Sequence, residues 1–174
     1  MRGVPLAVLA LGACQPPTQI RVVFEGTCRD LGIVARSQIN DPSDVGTLST
    51  SGACEGDAPL DIVLVPESGS DAVEILVVAS LGDISVDDCL SEYTTSIGSP
   101  RTCAPEDACG SCVFMRRSTR FEEGESRTLV ISVEEACLGE LRCDLTETCA
   151  SEGRCISAAT SCDDEGSCDL EEDG

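Results

Sequence analysis

The sequence predicts a mainly β protein: an antiparallel β-sandwich followed by a small disulfide-rich C-terminal module. Three observations carry this. Short runs of Val, Ile and Leu, several alternating with polar residues, recur between breaks rich in Gly, Ser and Asp. Aromatic residues make up only 2% of the chain, so any core is aliphatic and suits pleated strands. Six of the 13 cysteines crowd into residues 137–168, where few apolar residues exist to build an ordinary core.

Residues 19–136 read as the sandwich. Thr18 to Glu25 alternates, with Ile20, Val22 and Phe24 on one face. Leu31 to Arg36 reads as a short strand or a helical turn, inside a loop-rich stretch from 27 to 58. Leu60 to Val65 and Val73 to Leu81 are nearly continuous in apolar residues, which predicts strands buried on both faces. The turn cluster Pro66-Glu67-Ser68-Gly69-Ser70-Asp71 separates them. Ser85 to Tyr93 is again a short strand or a helical turn, within a second loop-rich stretch, 82–111. Cys112 to Phe121 is extended, Glu122-Glu123-Gly124-Glu125 turns the chain, and Thr128 to Glu134 alternates with Leu129, Ile131 and Val133 inward.

In residues 137–168, Cys137, Cys143, Cys149 and Cys155 fall at intervals of six, followed by Cys162 and Cys168. Such a segment folds because bridges restrict its unfolded state, at typically ~2–4 kcal/mol each. Residues 169–174 form an acidic tail, and the whole acidic stretch Asp163 to Gly174 is expected to fray.

Residues 1–13 have the composition of an export signal: Arg2, then an apolar run from Val4 to Leu11 interrupted by Pro5. The run is too short to span a bilayer permanently. Leu11-Gly12-Ala13-Cys14 resembles the lipobox of bacterial lipoproteins, although the segment before the cysteine is slightly shorter than usual. The resemblance implies cleavage before Cys14 and acylation of its sulfur and new amine. Residues 14–18 would then be the lipidated cysteine and a stiff, proline-rich tether through Pro16 and Pro17. Gln15, where Asp would resemble an inner-membrane retention signal, favours the outer membrane. An ordinary signal cut after Gly12 is the alternative, and cysteine parity weighs against it. With Cys14 acylated, Cys28, Cys54, Cys89, Cys103, Cys109, Cys112, Cys137, Cys143, Cys149, Cys155, Cys162 and Cys168 can form six bridges. Without acylation one thiol is left over in an oxidising compartment. The expected pairings are Cys28 with Cys54, and the six C-terminal cysteines among themselves.

The composition excludes much chemistry. There is no His and every basic residue is Arg, which removes the side chain most used for acid–base work near neutral pH. A net charge of −21 repels phosphate backbones, so nucleic acid is not an expected partner. No catalytic residues, metal site or cofactor are expected. Cys103, Cys109 and Cys112 invite zinc or redox readings, but the C-x-x-C at 109–112 leads into a strand, and plain disulfides are preferred. The acidic groups Asp41/Asp44, Asp87/Asp88 and Asp163/Asp164/Glu165/Asp169 lack the spacing of a calcium loop and read as solvated surface. Arg116, Arg117, Arg120 and Arg127 form the only basic cluster. Cross-strand pairs with Glu122, Glu123 and Glu125 on one hairpin account for it, and a site for an acidic polysaccharide is the alternative.

The order of lipobox, Phe24-Glu25-Gly26-Thr27-Cys28, Leu60-Asp61-Ile62-Val63-Leu64-Val65-Pro66, a closing strand at Arg127 to Val133, and Cys137-Leu138-Gly139-Glu140-Leu141-Arg142-Cys143 through Cys149 to Gly153-Arg154-Cys155 resembles the cysteine-rich surface lipoproteins of myxobacteria and their relatives. The likeness covers roughly residues 14–156; Cys162, Cys168 and the acidic tail depart from it. It implies no catalytic residues. The expectation is a non-catalytic lipoprotein of the outer membrane or cell surface. It is anchored in the membrane through Cys14 and serves as a structural, adhesive or binding module for a protein or polysaccharide partner. The alternatives are a small extracytoplasmic hydrolase with a carboxylate pair and an accessory subunit of an envelope or secretion complex.

Overall fold

A computed structural model of the chain describes residues 17–36, 48, 50–53, 61–66, 71–97 and 101–170. In chain order the strands are β1 (Gln19–Glu25), β2 (Asp30–Arg36), β3 (Thr50–Ala53), β4 (Asp61–Leu64) and β5 (Ala72–Ser80). Helix α1 (Val86–Ser96) follows. Then come β6 (Cys112–Arg120), β7 (Ser126–Ser132), β8 (Glu147–Cys149), β9 (Cys155–Ser157), β10 (Thr160–Cys162) and β11 (Ser167–Leu170). The protein is mainly β and disulfide-rich toward its C-terminal end.

Two sheets face each other. One has the order β10-β11-β7-β1-β4, the other β3-β2-β5-β6, and β8-β9 is a separate hairpin. Between the sheets lies an aliphatic core: Ile20, Val22, Leu31, Ile33, Ile75, Val77, Val113, Met115, Leu129 and Ile131 are all buried. The alternation in β1 and β7 sends the expected residues inward, because each strand has one wet face. β5 is buried on both faces, as its composition predicts. Its second face meets α1, where Val34, Leu76, Val78 and Phe114 pack with Cys89 and Leu90.

The segment from Ser85 resolves as a helix. Its first turn is capped by Ser85, whose Oγ accepts the Asp88 backbone N–H at 3.1 Å while its hydroxyl donates to Asp88 Oδ2 at 2.7 Å. Val86, Cys89 and Leu90 then lie on one buried face.

Four expectations are corrected. The sandwich is not wholly antiparallel: β7 runs parallel to β1, and β11 parallel to β7. β1 and β7 are far apart in sequence, so no tight turn forces them antiparallel. β4 is not buried on both faces: it ends its sheet, and Val63 and Val65 are 54% and 65% exposed. β6 and β7 are not a hairpin. The turn at 121–125 carries the chain from one sheet to the other, so no cross-strand pairs join them. The disulfide-rich C-terminal segment packs on the sandwich. β11 pairs with β7, and Cys137, Cys149 and Cys168 sit in the main core. Backbone pairing and packing thus join this segment to the sheets, and sulfur supplies apolar groups it otherwise lacks. Finally, the turn at Asp163 and β11 carry the chain in ordered structure through Leu170, within the stretch from Asp163 that was expected to fray.

At the end of β1, Gly26 has φ +110°, and a Cβ there would lie 2.8 Å from the Val133 carbonyl oxygen. Glycine is required because the Val133 N–H reaches the Glu25 carbonyl at 2.7 Å, bringing the two backbones together.

Candidate functional site

The cysteines account for most of the residues singled out in sequence. The bridges are Cys89–Cys112, Cys103–Cys109, Cys137–Cys149, Cys143–Cys155 and Cys162–Cys168. Cys28 is also disulfide-bonded. Its expected pairing with Cys54, and the lipidation expected at Cys14, lie outside the described residues. The C-x-x-C at Cys109 and Cys112 does not close on itself: each thiol is bonded elsewhere, and the motif forms a short 3-10 turn leading into β6. A dithiol redox centre needs the two sulfurs to bond each other in turn.

The acidic clusters resolve locally. Asp88 is committed to the cap of α1. Asp163 Oδ1 accepts the N–H groups of Glu165 and Ser167 at 3.0 and 2.9 Å and so closes the β10–β11 turn. Asp41 and Asp44 lie outside the described residues. Among the described residues no three of His, Cys, Asp and Glu gather as a metal site. No described helix is long and apolar enough to cross a membrane.

The four arginines diverge. Arg127 pairs with Glu122 and Glu125 at 2.6 and 2.9 Å within the turn, and Arg120 lies 3.9 Å from Asp71. Arg117 points inward and is buried; its Nη1 donates to Thr148 Oγ1 at 3.1 Å and to the Arg116 carbonyl at 2.7 Å. Burial pushes its pKa down to about 10, against support from Asp169.

Arg116 points the other way, toward α1, and organises a polar cluster on that face. Its Nε donates to Tyr93 Oη at 2.6 Å and its Nη1 to the Leu145 carbonyl at 3.1 Å, with Glu74 Oε2 at 3.8 Å. The Tyr93 ring stacks on Phe114 at 5.0 Å between centroids. Beside this cluster opens a cleft of about 210 Å³, lined by Tyr93, Ser96, Ile97, Leu141, Asp144 and Leu145, with Cys143 at its wall. Burial raises the Glu74 pKa, partly offset by Arg116 and then Arg36. Burial also raises that of Tyr93, so the phenol stays protonated.

No protein-family model, curated protein or solved structure matches the chain. The chemistry of this cleft therefore rests on its own groups. Burial and two arginines set the Glu74 carboxyl, and Asp144 is the carboxylate in the lining of the cleft. The Ser96 hydroxyl is spent on the Glu92 carbonyl at 2.8 Å, so it has no base. Sequence reasoning missed the Glu74–Tyr93–Arg116 cluster because its members lie on three elements that only packing brings together.

A tighter ion pair lies nearby. Glu140 is buried, and Arg142 reaches it with a fork: Nε to Oε1 at 2.8 Å and Nη2 to Oε2 at 2.6 Å, with the Arg142 N–H on Oε1 at 2.8 Å. Burial pushes the Glu140 pKa up, but these hydrogen bonds and the Arg142 charge outweigh it and hold the pKa below the ordinary carboxylate value. A carboxylate with a lowered folded pKa stabilises above its unfolded pKa, and that gain is lost as pH falls through the folded value. Glu140→Gln is expected to cost about 1–2 kcal/mol at neutral pH, discounted for the exposed arginine. Urea midpoints should converge with wild type in strong acid; a constant gap would contradict the assignment.

Proposed function

We propose that this chain is an exported, lipid-anchored surface protein that works as a non-catalytic binding module. The observation that carries this is the state of its cysteines. Of 13, 11 are described and each is disulfide-bonded. Ten pair with one another. By count Cys28 takes either Cys14 or Cys54, and the other is left over. The lipobox reading assigns the leftover sulfur to acylation at Cys14, and so pairs Cys28 with Cys54. Five bridges among the described residues suit an oxidising compartment outside the cytoplasm. The outer-membrane address and membership in the cysteine-rich surface lipoproteins of myxobacteria and relatives belong to the same reading.

A protein partner is favoured over a polysaccharide. Sugar-binding platforms stack rings on exposed aromatic side chains. Every aromatic residue here is committed: Phe24 and Phe114 are buried, Tyr93 lies on Phe114, and Phe121 packs against the core. The divergence of the four arginines likewise removes a single basic patch. An accessory role in an envelope complex remains a form of the same binding reading.

Intact mass of the protein extracted from its own membranes without reductant tests this. The expected mass lacks residues 1–13 and carries acyl chains and six bridges. A Cys14–Cys28 bridge, or an unacylated Cys14, would overturn the anchor. A stoichiometric partner retained in mild detergent would specify the accessory role.

A further inference from the structure

We infer that the cleft beside Tyr93 is the seat for one cationic side chain, Arg or Lys, of a partner protein, with its aliphatic stem on the apolar wall and its charge at Asp144. This deepens the binding-module reading and rests on it.

The fold holds this cleft open. All of its lining residues are described. One wall is the C-terminal end of α1, with Tyr93, Ser96 and Ile97, and the other is the chain from Leu141 to Leu145. One guanidinium fixes both walls: Arg116 Nε donates to Tyr93 Oη, and its Nη1 donates to the Leu145 carbonyl. The second wall is also pinned by the Leu141 N–H on the Arg101 carbonyl at 3.0 Å and by the Cys143–Cys155 bridge. A site tied in this way loses little freedom when it is filled. Leu141 is buried and Asp144 is exposed, so the apolar part lies inside and the carboxylate at the mouth.

Size and chemistry choose the occupant. A volume of about 210 Å³ is below the ~300–1,000 Å³ of sites for whole small molecules, and it suits a single side chain. Arginine is among the side chains that most often anchor a partner in such a pocket. Tyr93, Ile97, Leu141 and Leu145 supply the apolar wall. Two polar groups of the lining are spent: Tyr93 Oη accepts from Arg116, and the Ser96 hydroxyl donates to the Glu92 carbonyl. The Asp144 carboxylate accepts no hydrogen bond and pairs with no cation among the described residues. Beside it Glu147, whose Oε2 accepts the Asp144 N–H at 2.9 Å, likewise pairs with no cation among them. The three arginines bonded to or adjacent to the walls each have a carboxylate: Arg116 has Glu74 at 3.8 Å, Arg101 has Glu92 at 2.9 Å and Arg142 has Glu140 at 2.6 Å. These pairs cancel, and Asp144 and Glu147 leave the mouth negative. The end of α1 adds to this, because its last turn has no basic residue to answer the helix dipole. An apolar slot that ends at an unanswered carboxylate complements a long aliphatic side chain that ends in a cation. A second copy is disfavoured, since two chains of net charge −21 repel.

The test uses the purified chain with its bridges intact, isotope-labelled for NMR, and four probes: n-hexylammonium, hexanoate, methylammonium and the peptide acetyl-Gly-Ser-Arg-Ser-Gly-amide. Saturable shifts of the backbone amides at Ser96, Ile97, Leu141, Asp144 and Leu145 are expected with n-hexylammonium and with the peptide, at about millimolar affinity. Hexanoate should bind at least about fivefold more weakly. Methylammonium, which lacks the stem, should give no saturable shift. Asp144→Asn alters an exposed side chain, so the urea midpoint should hold while affinity for both cations falls about three- to fivefold. No saturable shift with n-hexylammonium, shifts centred elsewhere, equal binding of hexanoate or unchanged affinity in Asp144→Asn would each overturn the proposal. Binding of n-hexylammonium without the peptide would assign the cleft to a free amine and overturn the partner side chain. Self-association abolished by Asp144→Asn would put a second copy in its place and overturn it equally. The probes need neither lipid nor a known partner. Their failure leaves the binding-module reading to be judged by the partner retained in mild detergent, and the absence of that partner leaves the cleft to be judged by the probes.

Discussion

Replacing Cys137 and Cys149 together by alanine is expected to cost about 4–5 kcal/mol, more than replacing Cys143 and Cys155. The two bridges close loops of the same sequence separation, 12 residues, so the loss of chain restriction is the same, about 3 kcal/mol each. They differ in surroundings. Cys137 and Cys149 are buried members of the sandwich core, while Cys143 and Cys155 are partly exposed. Deleting two buried sulfurs removes apolar contact as well as the link, at about 1 kcal/mol for each methylene-sized group. Urea unfolding of the two double variants isolates this difference. Equal losses would mean that the buried bridge acts as a tether only, and that the C-terminal segment lends nothing to the core.

The second large effect concerns Arg117. Its guanidinium is buried on the inner side of β6, held by Thr148 Oγ1 and a backbone carbonyl, with Asp169 on β11 as the offsetting charge. Burial sets its pKa well below the ordinary value, to about 10. A base with a lowered folded pKa burdens the folded state wherever it stays charged, and the burden is relieved only as pH rises beyond about 10. At neutral pH this amounts to the order of 3 kcal/mol, set against the hydrogen bonds it makes. Arg117→Met is therefore expected to leave stability unchanged or raise it by up to about 2 kcal/mol. Thr148→Val should do the opposite and cost about 2–4 kcal/mol, because the hydroxyl also accepts the Arg116 N–H at 2.9 Å and both donors would be left buried and unmet. In the double variant the loss should be smaller than for Thr148→Val alone. If Arg117→Met proved the more damaging single change, the reading of Arg117 as a burden would be wrong.

β1, β5 and β7 were legible because their burial is written in their own residues. Ile20, Val22 and Phe24 alternate where one face is wet, and β5 is continuous where both faces are dry. β4 has much the same composition as β5 yet sits at an edge, since apolar content records preference for burial and not the neighbour that supplies it. The helix at Ser85 left a usable signal, a capping serine with Asp88 three residues on and apolar positions at helical spacing. The loop-rich context around it masked that signal. For the candidate site less was legible. Cysteine spacing marked the C-terminal segment as bridged but held no pairing. Glu74 and Tyr93 carried no motif, and Arg116 was marked only as one of a run of arginines.

The sequence by itself determined the strand-forming runs, the aliphatic character of the core, the weight of disulfides, and the absence of histidine chemistry. These are properties of composition and short-range period, which act within a few residues. Only the tertiary structure decided that β1 and β7 run parallel and that the turn after β6 changes sheets. It also decided that Cys137, Cys149 and Cys168 complete the main core and that Val63 and Val65 face solvent. Each of these depends on which distant segment arrives alongside, and that choice is made by the packing of the whole chain around one core rather than by any residue's own preference.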